Sequence, residues 1–156
     1  MQSIIVAGGC FWGMEELFRM QPGVTDTEVG YTGGENESPT YEHHPGHAEA
    51  LKITFNPSLT SADKLFDYMF QIHDPTTLNR QGNDIGSSYR SAIFYQNNNE
   101  KRQAEAAILR NQKFWENPIV TTIEPLSTFW SAEDYHQDYL KKNPGGYTCH
   151  YERPRN

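Results

Sequence analysis

The sequence is short of cysteine, and that shortage excludes two kinds of protein. Cys10 and Cys149 are the only two cysteines among 156 residues, and they lie at opposite ends of the chain. Two cysteines are too few for a disulfide scaffold, and they form no paired Cys-x-x-Cys metal knuckle. In a reducing compartment, the use expected of such thiols is chemical.

Positive charge and long apolar runs are scarce as well. Lys and Arg number 13 against 20 Asp and Glu, so the formal net charge is −7, and no basic stripe offsets it. This argues against a protein that follows the phosphates of a nucleic acid. The first apolar stretch, residues 4–7, lacks a preceding basic region and is far shorter than a signal-peptide core or a membrane span. We therefore expect a cytoplasmic protein that does not bind membranes.

The chain also lacks any linker rich in proline, glycine or serine. A length of 156 residues without such a linker is typical of one domain with a single core. We expect residues 1–156 to form that domain, and we expect a monomer.

Hydrophobic patterns predict an α+β fold. In chain order they give a strand at 3–8, a helix at 11–20, strands at 24–31 and 49–55, a helix after the capping pair Thr60 and Asp63, and a strand at 90–95. This βαββαβ order is the split βαβ, or ferredoxin-like, plan, in which the helices cover one face of a sheet. Beyond it we predict a helix at 100–114, a strand at 119–123, a short helix capped by Ser131 and Asp134, and an irregular, mobile tail from residue 147.

Cys10 falls between the first strand and the first helix. A helix N-terminus stabilises the reactive thiolate, so this position favours a nucleophile over a buried structural cysteine. Phe11 and Trp12 follow directly, and they either belong to the core or form the wall of an apolar slot. Glu49 lies on the same strand face as Leu51 and Ile53, where loss of water would raise its pKa and make it a proton donor.

Gly9-Cys10-Phe11-Trp12-Gly13 resembles the nucleophile motif of the class A peptide methionine sulfoxide reductases. Further blocks similar to that family follow in the same order and extend over nearly the whole chain. They are residues 30–34 (GYTGG), 39–41 (PTY), 46–49 (GHAE), 80–84 (RQGND), 89–91 (YRS) and 143–144 (NP).

The resemblance implies roles for particular residues. Cys10 attacks the sulfur of methionine-S-sulfoxide as a thiolate and becomes a sulfenic acid, which Cys149 resolves as a disulfide that thioredoxin reduces. Glu49 is the catalytic carboxyl, and no cofactor or metal is implied. The remaining residues implied to bind substrate are Phe11, Trp12, Tyr41, Asp84, Tyr89 and His136.

Two departures from the family pattern lie near the predicted site. The loop between Tyr41 and Gly46 is shorter than in many relatives, and Ser88 stands where a glutamine is common. His43, His44 and His47 also suggest a metal site, but no cysteine pair or acidic cluster accompanies them. We interpret them as a solvated loop in which His47 braces Glu49.

Two other functions remain open from the residues alone. Cys10 could serve a hydrolase or acyl transferase, with His47 or His136 as its base and Asp84 as the orienting group. Alternatively, a disulfide between Cys10 and Cys149 could switch the tail of a redox-sensing binding domain. The first alternative gives Cys149 no role, and the second leaves Glu49 and the two tyrosines unexplained.

Overall fold

The computed structural model describes residues 1–155, which form eight strands and four α-helices. The strands are β1 (Gln2–Gly8), β2 (Val24–Thr32), β3 (Ala48–Phe55), β4 (Arg80–Gln81), β5 (Asp84–Ile85), β6 (Ser91–Tyr95), β7 (Thr122–Pro125) and β8 (Trp130–Ser131). The helices are α1 (Phe11–Arg19), α2 (Ala62–Ile72), α3 (Asn98–Asn111) and α4 (Tyr139–Lys142). None of these helices combines the length and the apolar composition that crossing a membrane requires. The predicted α+β class is confirmed.

Six strands form one sheet in the order β7-β6-β1-β3-β2-β8. All neighbouring strands are antiparallel except β6 and β7, which are parallel. The four strands of the predicted βαββαβ order lie side by side as β6-β1-β3-β2. An additional hairpin of β4 and β5 lies in the loop before β6, where no strand was predicted.

The two faces of the sheet are covered differently, because successive side chains of a strand point to opposite faces. Ile4 and Val6 of β1 pack with Leu51 and Ile53 of β3 in the main core, which the helices α1, α2 and α3 complete. A smaller cluster on the other face includes Ile5 of β1 and is covered by the segment after β7. Glu49 precedes Leu51 by two residues, so its side chain points toward the main core.

Several predicted boundaries are corrected by backbone geometry. The N-cap of α2 is Ser61, whose hydroxyl accepts from the Lys64 N–H at 3.2 Å, and not Thr60. The strand predicted at 119–123 is displaced to β7. The single helix predicted after Ser131 is instead a 3-10 turn at Asp134–His136 followed by α4, because Asp138 between them is in the left-handed region with φ of 53°.

The tail is irregular, as predicted, but the expectation that it is free is wrong for residues 147–155. His150 Nε2 donates to the carbonyl of Gly8 at 2.6 Å, and that side chain is buried. The Glu152 carboxylate accepts from Tyr68 Oη at 2.7 Å, and the Arg153 N–H donates to the Gln71 carbonyl at 3.1 Å. The tail therefore packs against α2 and the end of β1.

Candidate active site

Cys10 lies at a turn that only glycine-rich sequence allows. Gly9 has φ of 99°, in the left-handed region, and a Cβ there would lie 2.6 Å from Cγ of Gln81. The chain then enters α1 with Cys10 as the N-cap residue. This geometry puts the thiol at the N-terminus of α1, as the sequence predicts.

Burial opposes the thiolate that the position of Cys10 at a helix N-terminus favours. Burial raises the pKa of the Cys10 thiol to about 12, and the carboxyl of Glu49 contributes in the same direction. A hydrogen bond from the Trp12 backbone N–H lowers the pKa, but its effect is smaller than that of burial. Cys10 is therefore a neutral thiol at rest, and the helix terminus alone does not make it a thiolate.

Glu49 lies beside Cys10 in the main core. Its side chain is 1% exposed, and its Oε1 accepts from the Phe11 N–H at 3.2 Å. Burial raises the pKa of Glu49 to about 8, and the nearby charge of Asp84 adds to this effect. At neutral pH the group is predominantly an uncharged acid that can donate a proton, as its strand position predicts.

Tyr41 comes from the loop before β3, and Asp84 and Tyr89 come from the loop before β6. Burial raises the pKa of both tyrosines, and the charges of Glu49, Cys10 and Asp84 act in the same direction. Both phenols therefore remain protonated donors. Asp84, in β5, likewise raises the pKa of Cys10 and Glu49.

Aromatic side chains line one side of the site. Phe11 is 1% exposed, so it belongs to the core, and its ring lies 5.2 Å from that of His136. Trp12 is half-buried and stacks on Tyr139 at 3.8 Å between ring centroids. Its indole N–H donates to Nδ1 of His136 at 2.9 Å, so the proton of neutral His136 is on Nε2. That buried Nε2 has no hydrogen-bond partner among the described residues.

The docked tail brings Cys149 to the edge of the same site. Its sulfur lies 4.0 Å from the Gln81 carbonyl oxygen, and a charge on it would raise the pKa of Cys10. Tyr147 Oη donates to Asp84 Oδ2 at 3.3 Å, and the same hydroxyl acts to lower the pKa of Cys149. Burial outweighs this, so the pKa of Cys149 is raised overall. Both cysteines are free thiols.

The histidines of the loop before β3 have separate partners. His47 does not brace Glu49, because its Nδ1 accepts from the Gly34 N–H at 3.1 Å and its Nε2 contacts the Asn36 carbonyl at 2.8 Å. The hydrolase alternative needs His47 or His136 as a base against Cys10. In both residues Nδ1 accepts a backbone or indole N–H and Nε2 carries the proton, so neither imidazole offers a free basic nitrogen to Cys10.

Two residues at the site had no sequence signal. Glu133 accepts from Tyr31 Oη at 2.8 Å and from the Tyr41 N–H at 3.0 Å, so it fixes the start of the loop that carries Tyr41. Tyr147 lies in the tail that we expected to be free. A cavity of about 590 Å³ lies elsewhere, between α2 and α3, where Asp67 and Arg110 line it.

Comparisons with known proteins agree with this geometry. The family model described as "Peptide methionine sulfoxide reductase" matches residues 2–156. "Peptide methionine sulfoxide reductase MsrA" of Nocardia farcinica is 57% identical over 152 residues, which are 96% of this chain and 89% of that protein.

Two solved structures of Mxr1 from Saccharomyces cerevisiae are also similar. The reduced form has a TM-score of 0.93 and 38% identity, and the match covers 98% of this chain and 92% of that one. The complex of Mxr1 with Trx2 has a TM-score of 0.69 and 29% identity, with 98% and 90% covered.

Proposed function

The chain belongs to the peptide methionine sulfoxide reductase family, and from this premise we propose that Cys10 and Glu49 together reduce the sulfoxide. The protein is an oxidoreductase that converts methionine sulfoxide, free or in proteins, to methionine. The observation that carries the proposal is the buried contact of a neutral carboxyl with the turn that holds a neutral thiol.

The protonation states of the two groups define the first step. The sulfoxide oxygen becomes negative as the Cys10 sulfur bonds to the substrate sulfur, and Glu49 donates its proton to that oxygen. The carboxylate so formed takes the proton that leaves the thiol, so the thiolate exists only during attack. The oxygen then moves to the Cys10 sulfur: the S–O bond of the substrate and the transient bond between the two sulfurs break as the S–O bond of Cys10 forms. The products are methionine and the sulfenic acid of Cys10.

The other side chains at the site orient the substrate. Tyr41 and Tyr89 remain protonated and donate hydrogen bonds to the sulfoxide oxygen, while Asp84 holds the polar side of the site. Trp12, with His136 behind it, provides an apolar wall for the methyl group, and Phe11 supports that wall from the core. A fixed polar side opposite a fixed apolar wall distinguishes the two epimers, and we assign the S epimer.

Cys149 completes the cycle. Its thiol attacks the Cys10 sulfenic acid, the sulfur–sulfur bond forms, and the hydroxyl leaves as water with a proton from Glu49. The proton of Cys149 passes to solvent at the half-buried edge of the site. Thioredoxin then reduces the disulfide, which is supported by the similarity to an Mxr1 structure solved with Trx2.

We further propose that residues 1–156 act as one cytoplasmic, monomeric reductase domain without a cofactor or metal. The cytoplasm keeps thiols reduced, as this cycle requires. The formal charge of −7 argues against nucleic-acid partners.

A single-turnover assay tests the proposal. The enzyme without a reductant is mixed with excess methionine-S-sulfoxide, and methionine is quantified. We expect about one equivalent per enzyme, formation of the Cys10–Cys149 disulfide by mass spectrometry, and turnover only after thioredoxin or dithiothreitol is added. Hydrolysis of an ester or amide without methionine release would instead support the hydrolase alternative.

A further inference from the structure

Glu49 is almost completely buried, although the proposed cycle leaves it charged once per turnover. Its side chain is 1% exposed. After the disulfide forms, the proton that Glu49 gave to the departing hydroxyl has left as water. The carboxylate must therefore regain a proton before the next substrate reacts.

A half-buried histidine, His44, lies beside Ser88. His44 Nε2 and Ser88 Oγ are 2.8 Å apart, and the Ser88 side chain acts to lower the pKa of Glu49. Ser88 belongs to the 3-10 turn Ser87–Tyr89, which packs against β3. Its hydroxyl thus stands between an imidazole and the catalytic carboxyl.

The position of the proton on His44 follows from its other contact. His44 Nδ1 lies 2.8 Å from the carbonyl oxygen of Thr40, and a carbonyl can only accept a hydrogen bond. Nδ1 therefore carries a hydrogen in both charge states, and Nε2 is the nitrogen that gains and loses a proton. The ring also stacks on Tyr31 at 4.9 Å, which fixes its orientation toward Ser88.

We propose that His44 and Ser88 form the path by which Glu49 regains its proton from solvent. This inference rests on the proposed function, since it assigns a route to the proton that the cycle consumes. Neither residue contacts the reacting sulfur in this scheme. Both act through Glu49.

Each proton movement is balanced. When Glu49 is a carboxylate, Ser88 Oγ–H donates to it, and the lone pair of His44 Nε2 is free to bind a proton from solvent. His44 Nε2–H then passes its proton to Ser88 Oγ as Ser88 passes its own to Glu49. The final state is a neutral acid, a serine and a neutral imidazole.

The surroundings of His44 and of Glu49 favour movement of the proton toward Glu49. The groups that face Glu49 are Cys10, Asp84, Tyr41 and Tyr89, and of these Asp84 raises its pKa. His44 is faced by the rings of Tyr31 and Tyr41, neither of which donates to Nε2. An imidazole is the side chain best suited to pass a proton near neutral pH.

Rapid-mixing infrared spectroscopy tests the path directly. The carboxylic acid band of Glu49 is identified by its absence from Glu49→Gln. Each protein is equilibrated at alkaline pH, mixed to pH 7, and the return of that band is timed. Ser88→Ala and His44→Gln should slow the return at least about tenfold relative to the parent protein. Ser88→Thr, which keeps the hydroxyl, should restore it, and His43→Gln is the matched control because the described contacts of His43 are made by its backbone.

The outcomes separate this inference from the proposed function. If Ser88→Ala and His44→Gln regain the band as fast as the parent protein, the path is wrong, whatever the activity. If Glu49→Gln releases the first equivalent of methionine at the parental rate, the proposed role of Glu49 is wrong. Imidazole added to the solution should accelerate the return of the band in His44→Gly, where it replaces the missing side chain. It should not do so in Ser88→Ala, and this difference would support the order of the two relay residues.

Discussion

The pH dependence of the first turnover should depend on Glu49 in a way that separates a proton donor from a structural carboxyl. Burial raises the pKa of Glu49 from 4.5 to about 8, which corresponds to about 5 kcal/mol in favour of the neutral acid. At pH 7 about nine in ten molecules then hold the proton, against about one in 300 for an ordinary carboxyl. The burial of this side chain therefore increases the fraction of molecules with a protonated Glu49 at pH 7 about 300-fold.

We expect the single-turnover rate to be nearly constant below pH 7 and to fall about tenfold per unit above pH 8. Glu49→Gln should lower the rate at pH 7 by about ten- to a thousandfold. Its rate should also rise with pH, because an amide cannot take the thiol proton and attack then depends on thiolate formed in solvent exchange. Above pH 8 the rate should therefore fall with pH in the parent protein and rise with pH in Glu49→Gln.

Quench-flow measurement of methionine release between pH 6 and 10 provides the assay, with excess substrate and no reductant. A parental rate that rises through pH 8 with the slope of Glu49→Gln would refute the reasoning. Asp84→Asn should move the alkaline break to lower pH, because it removes a charge that raises the pKa of Glu49. Stability is an independent check: a carboxyl with a raised folded pKa loses its contribution as pH rises from 4.5 to about 8, so Glu49→Gln should flatten that decline.

Three further substitutions test the thiol relay. Cys10→Ser should abolish sulfoxide reduction in every assay, because serine is a far weaker nucleophile toward sulfur at neutral pH; turnover above background contradicts the assignment. Cys149→Ser should still release about one equivalent of methionine and then stop with thioredoxin, while dithiothreitol bypasses the block; undiminished thioredoxin-driven turnover is the opposing result. Gly13→Ala should slow disulfide formation but not the first equivalent, since its Cβ would lie 2.3 Å from Nδ1 of His150 and displace the tail. Gly145→Ala, where nothing lies within 4 Å of the added Cβ, is its control, and equal disulfide rates in the two variants, measured by thiol trapping, would show that tail docking is irrelevant.

The sequence was most informative where a regular repeat of apolar residues determines which side chains face the core. Residues of β3 alternate between the two faces of the sheet, so the position of Glu49 relative to Leu51 and Ile53 predicted its burial. The same pattern predicted the main strands and helices of the first 95 residues. The turn at Gly9 likewise predicted the place of Cys10 at the start of α1.

The sequence was least informative where contacts join segments that are far apart in the sequence and show no regular repeat of apolar residues. Nothing local marks Glu133 as the acceptor for Tyr31 and for the Tyr41 backbone. Where the helix predicted after Ser131 is interrupted, the side chain of Gln137 pairs with both backbone groups of Val29, a contact between segments far apart in the sequence. A position at a helix end favours the thiolate of Cys10, whereas burial, which the residue pattern did not reveal, raises the pKa of the thiol.

The hydrogen bond from His150 to Gly8 joins residues 142 positions apart, so docking the tail closes a loop of almost the entire chain. The entropic cost of such a closure is met only after the segments between have become compact. We therefore expect Cys149 to reach its place last during folding, when the sheet and Cys10 are already formed. Before the tail docks, Cys10 can reduce one sulfoxide and become a sulfenic acid, but Cys149 is not in place to resolve it. Docking of the tail is therefore the folding step that turns a single reaction into a catalytic cycle.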